Sequence, residues 1–165
     1  MKILKRIGIG LIVLLLLVQL YPRPEKNNAK ALEPNHISGL YPIPADVEAI
    51  MKSSCYDCHS NNTDYPWYSN IQPVAWWLGD HIVDGKKHLN FSEFASYSLA
   101  KQYHKLEEVV AEVKEGEMPL ESYTVIHREA DLTEVQRALV TAWAENTRTL
   151  MAQKYPADSL IRKKK

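Results

Sequence analysis

The sequence predicts an all-α protein, and three observations carry that prediction. Four stretches place apolar side chains at three- and four-residue intervals, the period of a helix with one buried face. No stretch of useful length alternates apolar and polar residues as a half-buried strand would. The nine prolines gather outside the periodic stretches, where they cost no helical hydrogen bond. At 165 residues the chain has room for one domain with appendages.

The first element is an address rather than part of that domain. Met1 to Arg6 carries Lys2, Lys5 and Arg6, and Ile7 to Leu20 is almost entirely apolar, with Gln19 the interruption. A basic flank ahead of an apolar run is what export machinery reads, and the positive-inside rule keeps the basic end in the cytoplasm. Gln19-Leu20-Tyr21-Pro22-Arg23-Pro24 offers no small-x-small cleavage site. Residues 1–21 are therefore expected to be an uncleaved signal anchor, a single transmembrane segment in the bacterial inner membrane with the rest of the chain in the periplasm. Residues 22–44 read as a linker: Pro22, Pro24, Pro34, Pro42 and Pro44, with Lys26, Asn27, Asn28 and Lys30 among them, favour extended backbone that would hold the domain off the bilayer.

The domain is expected over 45–152. Asp46 can cap a short helix with Val47, Ile50 and Met51 on one face. Pro73 can open a second, in which Val74, Trp77, Leu78, His81 and Ile82 share a stripe; His81 then faces inward, and His88, beyond Gly85, lies exposed. Between these two helices runs a polar, ring-bearing loop with Tyr65, Trp67 and Tyr68, which needs a surface to pack on. Asn90 or Ser92 caps the next segment. From Ser98 to Glu115 the stripe is Leu99, Tyr103, Leu106, Val110 and Val113, ended by Gly116 in the usual C′ manner. A last helix starts at a Thr133-x-x-Gln136 capping box and shows Val135, Leu139, Ala142, Trp143 and Leu150 as its apolar face. Residues 153–165 read as a loose basic tail closing on Arg162-Lys163-Lys164-Lys165.

Charge excludes one class of partner. Twenty basic and twenty acidic side chains cancel, and no long basic run lies within the body of the chain, so no nucleic-acid partner is expected.

The chemistry concentrates at Cys55-Tyr56-Asp57-Cys58-His59, where both cysteines and one of six histidines fall together. Cys-x-x-Cys-His is a haem attachment signature: the thiols add across the two vinyl groups, and the imidazole that follows lies under the iron. Cys-x-x-Cys also serves as a thioredoxin-like redox pair or as half of a zinc site. The first sits at a strand-to-helix turn, which is missing here, and the second needs two more ligands. Export favours haem, because covalent attachment takes place on the outer side of the cytoplasmic membrane. Downstream, Gly116-Glu117-Met118-Pro119-Leu120 puts a methionine on a loop just after a helix. There it can present a thioether to iron, or simply pack under the loop. His81 is the rival sixth ligand, and His81 or His127 would be the acid/base group if the chain were a peroxidase.

Cys55-x-x-Cys58-His59, Met118-Pro119 and a terminal amphipathic helix with an inward Trp143 together resemble a class I cytochrome c. More closely, the run from Cys55 to Asn70, with Pro73-Val-Ala-Trp-Trp, Leu89-Asn-Phe-Ser and Glu117-Met-Pro-Leu, is similar to the haem-binding domain family of small exported proteins, over about Leu40 to Leu150. The resemblance implies a cytochrome c-like fold round one covalent haem c, with Cys55 and Cys58 as attachment points and His59 as proximal ligand. Met118 matches the family's Met-Pro element; its place as distal iron ligand follows from the wider cytochrome pattern. The expectation is a membrane-anchored periplasmic monohaem cytochrome, not an enzyme, that exchanges single electrons with redox partner proteins. The alternative is a haem-based small-ligand binder or sensor with a displaceable distal ligand.

Overall fold

A computed structural model of the chain describes residues 1–28 and 34–162. Lys30 of the Pro-rich segment and Lys163, Lys164 and Lys165 of the basic tail lie outside the described residues. The fold is all-helical, as expected; among the described residues the single β pairing is an isolated bridge between Asn28 and Asn62.

Seven α-helices follow one another: α1 (Lys2–Val18), α2 (Ala45–Ser54), α3 (Tyr56–His59), α4 (Val74–His88), α5 (Leu99–Glu115), α6 (Glu121–Thr124) and α7 (Glu134–Lys154), with short 3₁₀ turns between. The caps are largely those the sequence names. Ser98 Oγ accepts from the Lys101 amide at the start of α5, the Thr133–Gln136 capping box opens α7, and Gly116 closes α5 at φ 80°, the left-handed geometry that favours glycine. At α2 the N-cap is Pro44 rather than Asp46, whose carboxylate instead accepts from the Val47 amide within the first turn.

The core is the α5–α7 pair with α2 laid across α7. Phe94, Leu106, Val140, Met51 and Met151 are all fully or almost fully buried there. Burial of each such side chain is worth about 1.5–3 kcal/mol. The buried face of α7 is not the stripe expected. Val135, Leu139, Ala142 and Leu150 are exposed, and Val140, Trp143, Ala144, Thr147 and Met151 point inward. Thr147 Oγ1 bonds back to the Trp143 carbonyl at 2.9 Å, so a polar residue sits inside at little cost. On α4 the buried residues are Ala75, Leu78 and Ile82; Trp77 is 44% exposed and His81 half-buried, so the stripe is rotated from the expected one.

Two segments expected to be loose are tied down. The described parts of this Pro-rich segment, residues 22–28 and 34–44, have no α-helix, as the prolines predict, yet they lie against the helices. Pro22 O accepts from Trp76 Nε1, Asn27 Nδ2 donates to Ser60 O and Thr63 Oγ1, and Pro42 O accepts from Trp143 Nε1. Ile37 is 0% exposed, a full member of the core. At the other end, Leu160 is buried in a 3₁₀ turn that packs on α5. Composition reports the lack of regular structure in both segments but not these long-range bonds.

α1 has 17 residues and no buried side chain. No helix among the described residues is long and apolar enough to cross a membrane. At 1.5 Å per residue α1 covers about 26 Å, short of the ~30 Å hydrocarbon layer.

A cavity that gathers the sequence motifs

The Cys-x-x-Cys-His motif occupies the junction of α2 and the single turn of α3. The Cys55 amide closes α2 on Met51 O, and Cys55 O accepts the His59 amide at 2.9 Å, so one turn of backbone carries both thiols and the imidazole. The α3 turn lies directly against α4, and Gly85 makes that possible. A Cβ there would stand 2.6 Å from the Cys58 carbonyl oxygen, a clash between backbone atoms. Gly85 sits inside α4, which runs on to His88.

The side chains around the motif are held. Asp57 accepts from the Asp64 amide at 2.8 Å through one carboxylate oxygen and from Tyr123 Oη at 2.7 Å through the other, tying α3 to α6. Tyr56 Oη donates to Glu48 at 2.9 Å. His59 Nδ1 lies 2.9 Å from the Leu89 carbonyl. A carbonyl can only accept, so Nδ1 carries the proton and Nε2 keeps its lone pair, the tautomer a metal needs. Burial, against the pull of the Leu89 and Gly85 carbonyls, holds the imidazole below its ordinary pKa, so the ring is neutral.

Burial also pushes the Cys55 thiol up to about 12 and, with the charge of Asp57 adding to it, Cys58 to about 11. Reactive redox cysteines show the reverse, a lowered pKa. A structural zinc site takes four ligands, and among the described residues no group of three or more His, Cys, Asp or Glu is placed to hold a metal ion.

Both thiols and His59 open onto a cavity of about 400 Å³ with a mostly apolar lining. That is within the range of cofactor sites, ~300–1,000 Å³. Its other walls come from α4 through His81 and His88, from α5 through Val109 and Val113, from α7 through Val140, and from the loop after α5 through Met118, Pro119 and Leu120. The structure thus brings Cys55, Cys58, His59 and Met118 together, and places the rival ligand His81 on the same cavity. His88, exposed as expected, also borders it. His127 does not. Its Nε2 meets Tyr68 Oη at 2.5 Å and its Nδ1 meets Glu129 at 3.2 Å, while its ring stacks on Tyr123. Nor do Tyr65, Trp67 and Tyr68 line the cavity; Tyr65 Oη takes the Asn27 amide, and Trp67 is 77% exposed.

Met118 hangs on a loop whose backbone is fixed from both ends. Its amide donates to Glu112 O at 3.1 Å, and its carbonyl accepts from Arg137 Nη1 at 3.2 Å; the same nitrogen donates to Val113 O at 3.0 Å. Arg137 is the functional residue that sequence reasoning missed. The available signal was a lone cation in the first turns of an otherwise amphipathic helix, which reads as a solvated face.

The cavity fits a haem on its own chemistry: an apolar chamber, two protonated thiols on one wall, a tautomer-fixed imidazole beside them and a thioether presented from another element. A family model described as a haem-binding domain matches residues 13–146. Among curated proteins and among solved structures, none matches the chain significantly.

Proposed function

This chain belongs to the haem-binding domain family, and we propose that it holds one haem c covalently through Cys55 and Cys58 and passes single electrons by way of it. His59 is the proximal ligand and Met118 the distal one. The observation that carries the reading is the cavity itself, where the two thiols and the Nε2-free imidazole of one short run meet the thioether of a loop some sixty residues later. When bound, the haem iron supplies a one-electron couple, and Met/His ligation raises its potential.

The chain's own residues do the rest. The Leu89 carbonyl orients the imidazole, and the apolar walls from α5 and α7 exclude water. Arg137 keeps the Met118 loop against the end of α5. His59 and Met118 would both hold the iron and leave it no open position for a substrate, which suits outer-sphere exchange with a redox partner protein. We assign α1 to the inner membrane as the anchor of an exported protein, with the haem domain in the periplasm.

The test is an optical spectrum of protein produced with the haem attachment machinery. Sharp reduced α and β bands, a weak sulfur-to-iron band in the oxidised form and a haem stain that survives denaturing electrophoresis are expected. Met118→Ala should keep the stain and lose the sulfur band; an unchanged spectrum in that variant removes Met118 as ligand. A second reading, a small-ligand binder with a displaceable sixth ligand, draws on the presence of both Met118 and His81 around one cavity. Carbon monoxide binding by the reduced wild type would favour it.

A further inference from the structure

The end of the apolar helix is locked to the domain rather than joined to it by a free tether. Gln19 Nε2 donates to Gln72 O at 2.9 Å, and the Gln72 amide donates to Gln19 Oε1 at 3.0 Å, a reciprocal pair of bonds across the turn that precedes α4. Tyr21 meets Trp76 edge-on at 5.1 Å between ring centroids. Pro22 O accepts from Trp76 Nε1 at 3.1 Å. Pro24 lies over Gly79 so closely that a Cβ there would stand 2.8 Å from its ring. Around this junction Leu20, Tyr21, Ile71 and Trp77 are left exposed, and Trp67, four residues ahead of Ile71, is exposed too.

We propose that this collar of rings and aliphatic side chains sits in the lipid headgroup layer, so that the domain rests on the bilayer in one fixed orientation. The inference rests on the anchoring of α1. Three features support it. Tyr and Trp partition to the membrane–water interface, where an apolar ring and a polar tip are both accommodated. α1 is several ångströms shorter than the hydrocarbon layer, and a short apolar segment draws its flanking residues into the interface. The locked junction leaves no slack by which those flanking residues could be drawn in without the domain surface that carries Ile71 and Trp77. The occupant of the collar is therefore the phospholipid surface itself.

The experiment uses full-length holoprotein in phosphatidylcholine vesicles, with plain or brominated acyl chains, after flotation on a density gradient. The ratio of tryptophan emission in the two preparations cancels quenching within the protein. Flotation with a clear loss of emission in brominated vesicles is the expected result. A Trp67→Phe/Trp77→Phe variant should float equally and lose much of that sensitivity, because, of the two tryptophans left, Trp143 is buried and Trp76 is half-buried under Tyr21. Gln19→Leu, which keeps the helix apolar and removes both amide bonds, should float and be quenched less than wild type. Flotation with equal emission in the two lipids overturns the seating and leaves the anchor intact. Protein that stays at the bottom of the gradient overturns both, and the haem stain, read on the same fractions, is unaffected by either outcome.

Discussion

The wall of the cavity that carries His59 and the wall that carries Met118 are built on different terms. His59 sits on a helical turn closed by backbone bonds, pressed on α4 where Gly85 lets the two backbones touch, with its ring pinned by a carbonyl. Met118 sits on a loop past a left-handed glycine, and its place depends on one amide bond and one arginine reaching over from α7. The first wall is fixed by a closed helical turn and backbone packing on α4, the second by one amide bond and a single long-range side chain. The lesson is that His59, the proposed proximal ligand, is part of the fold, whereas Met118, the proposed distal one, is suspended from it and is the side on which exchange or loss would begin.

The contrast can be broken at its strongest point first. Replacing Cys55 and Cys58 together by alanine should abolish the haem stain on denaturing gels while leaving the helical far-ultraviolet signal largely in place. Gly85→Ala should come next: the added methyl meets the Cys58 carbonyl, and overpacking of this kind costs about 1–3 kcal/mol. It should appear as a lowered denaturant midpoint and a reduced yield of haem-loaded protein. Arg137→Ala tests the other wall. Loss of its bonds to the Val113 and Met118 carbonyls should weaken the loop by about 1–3 kcal/mol. The sulfur-to-iron band should persist but fade at lower temperature or denaturant than in wild type, with partial rescue by Arg137→Lys. An equal stability of that band in Arg137→Ala would show the loop holding itself. The smallest effect is expected from His81→Ala, which removes a cavity neighbour whose Nδ1 already bonds Trp77 O at 2.7 Å. Its spectrum should match wild type; a shifted one would make His81 the ligand.

The two walls also differ in how far they could be read from the sequence. Cys55, Cys58 and His59 are contiguous, so their spacing alone states their geometry, and Met118 was conspicuous between a glycine and a proline. The caps at Asn90, Thr133 and Gly116 were legible for the same reason, since each depends on near neighbours in the chain. What could not be read depends on distant partners. Nothing near Gly85 in the chain signals its contact with Cys58, 27 positions earlier. On α7, two overlapping stripes satisfy the helical period, and only the position of α2 and α5 selects Val140, Trp143, Ala144, Thr147 and Met151 over Val135, Leu139 and Leu150. Arg137 showed only as a lone cation on a helix, because the carbonyls it serves lie 19 and 24 positions away in the chain.

The wrapped segment from Pro22 to Pro44 bears on how the molecule can be divided. Severing the chain at residue 45, where the prolines stop, would discard Ile37 from the core and strip Trp143 of the carbonyl its indole bonds. A cut just before Ile37 spares those two and sacrifices Asn27, whose amide joins Ser60 and Thr63 and whose carbonyl oxygen receives Lys86. An anchor-free preparation that keeps every one of these ties, and the Pro22 carbonyl that Trp76 Nε1 bonds, has to begin ahead of Pro22. The stretch that composition marks as dispensable thus contributes to the domain's own packing, and trimming it would loosen the helices it bonds.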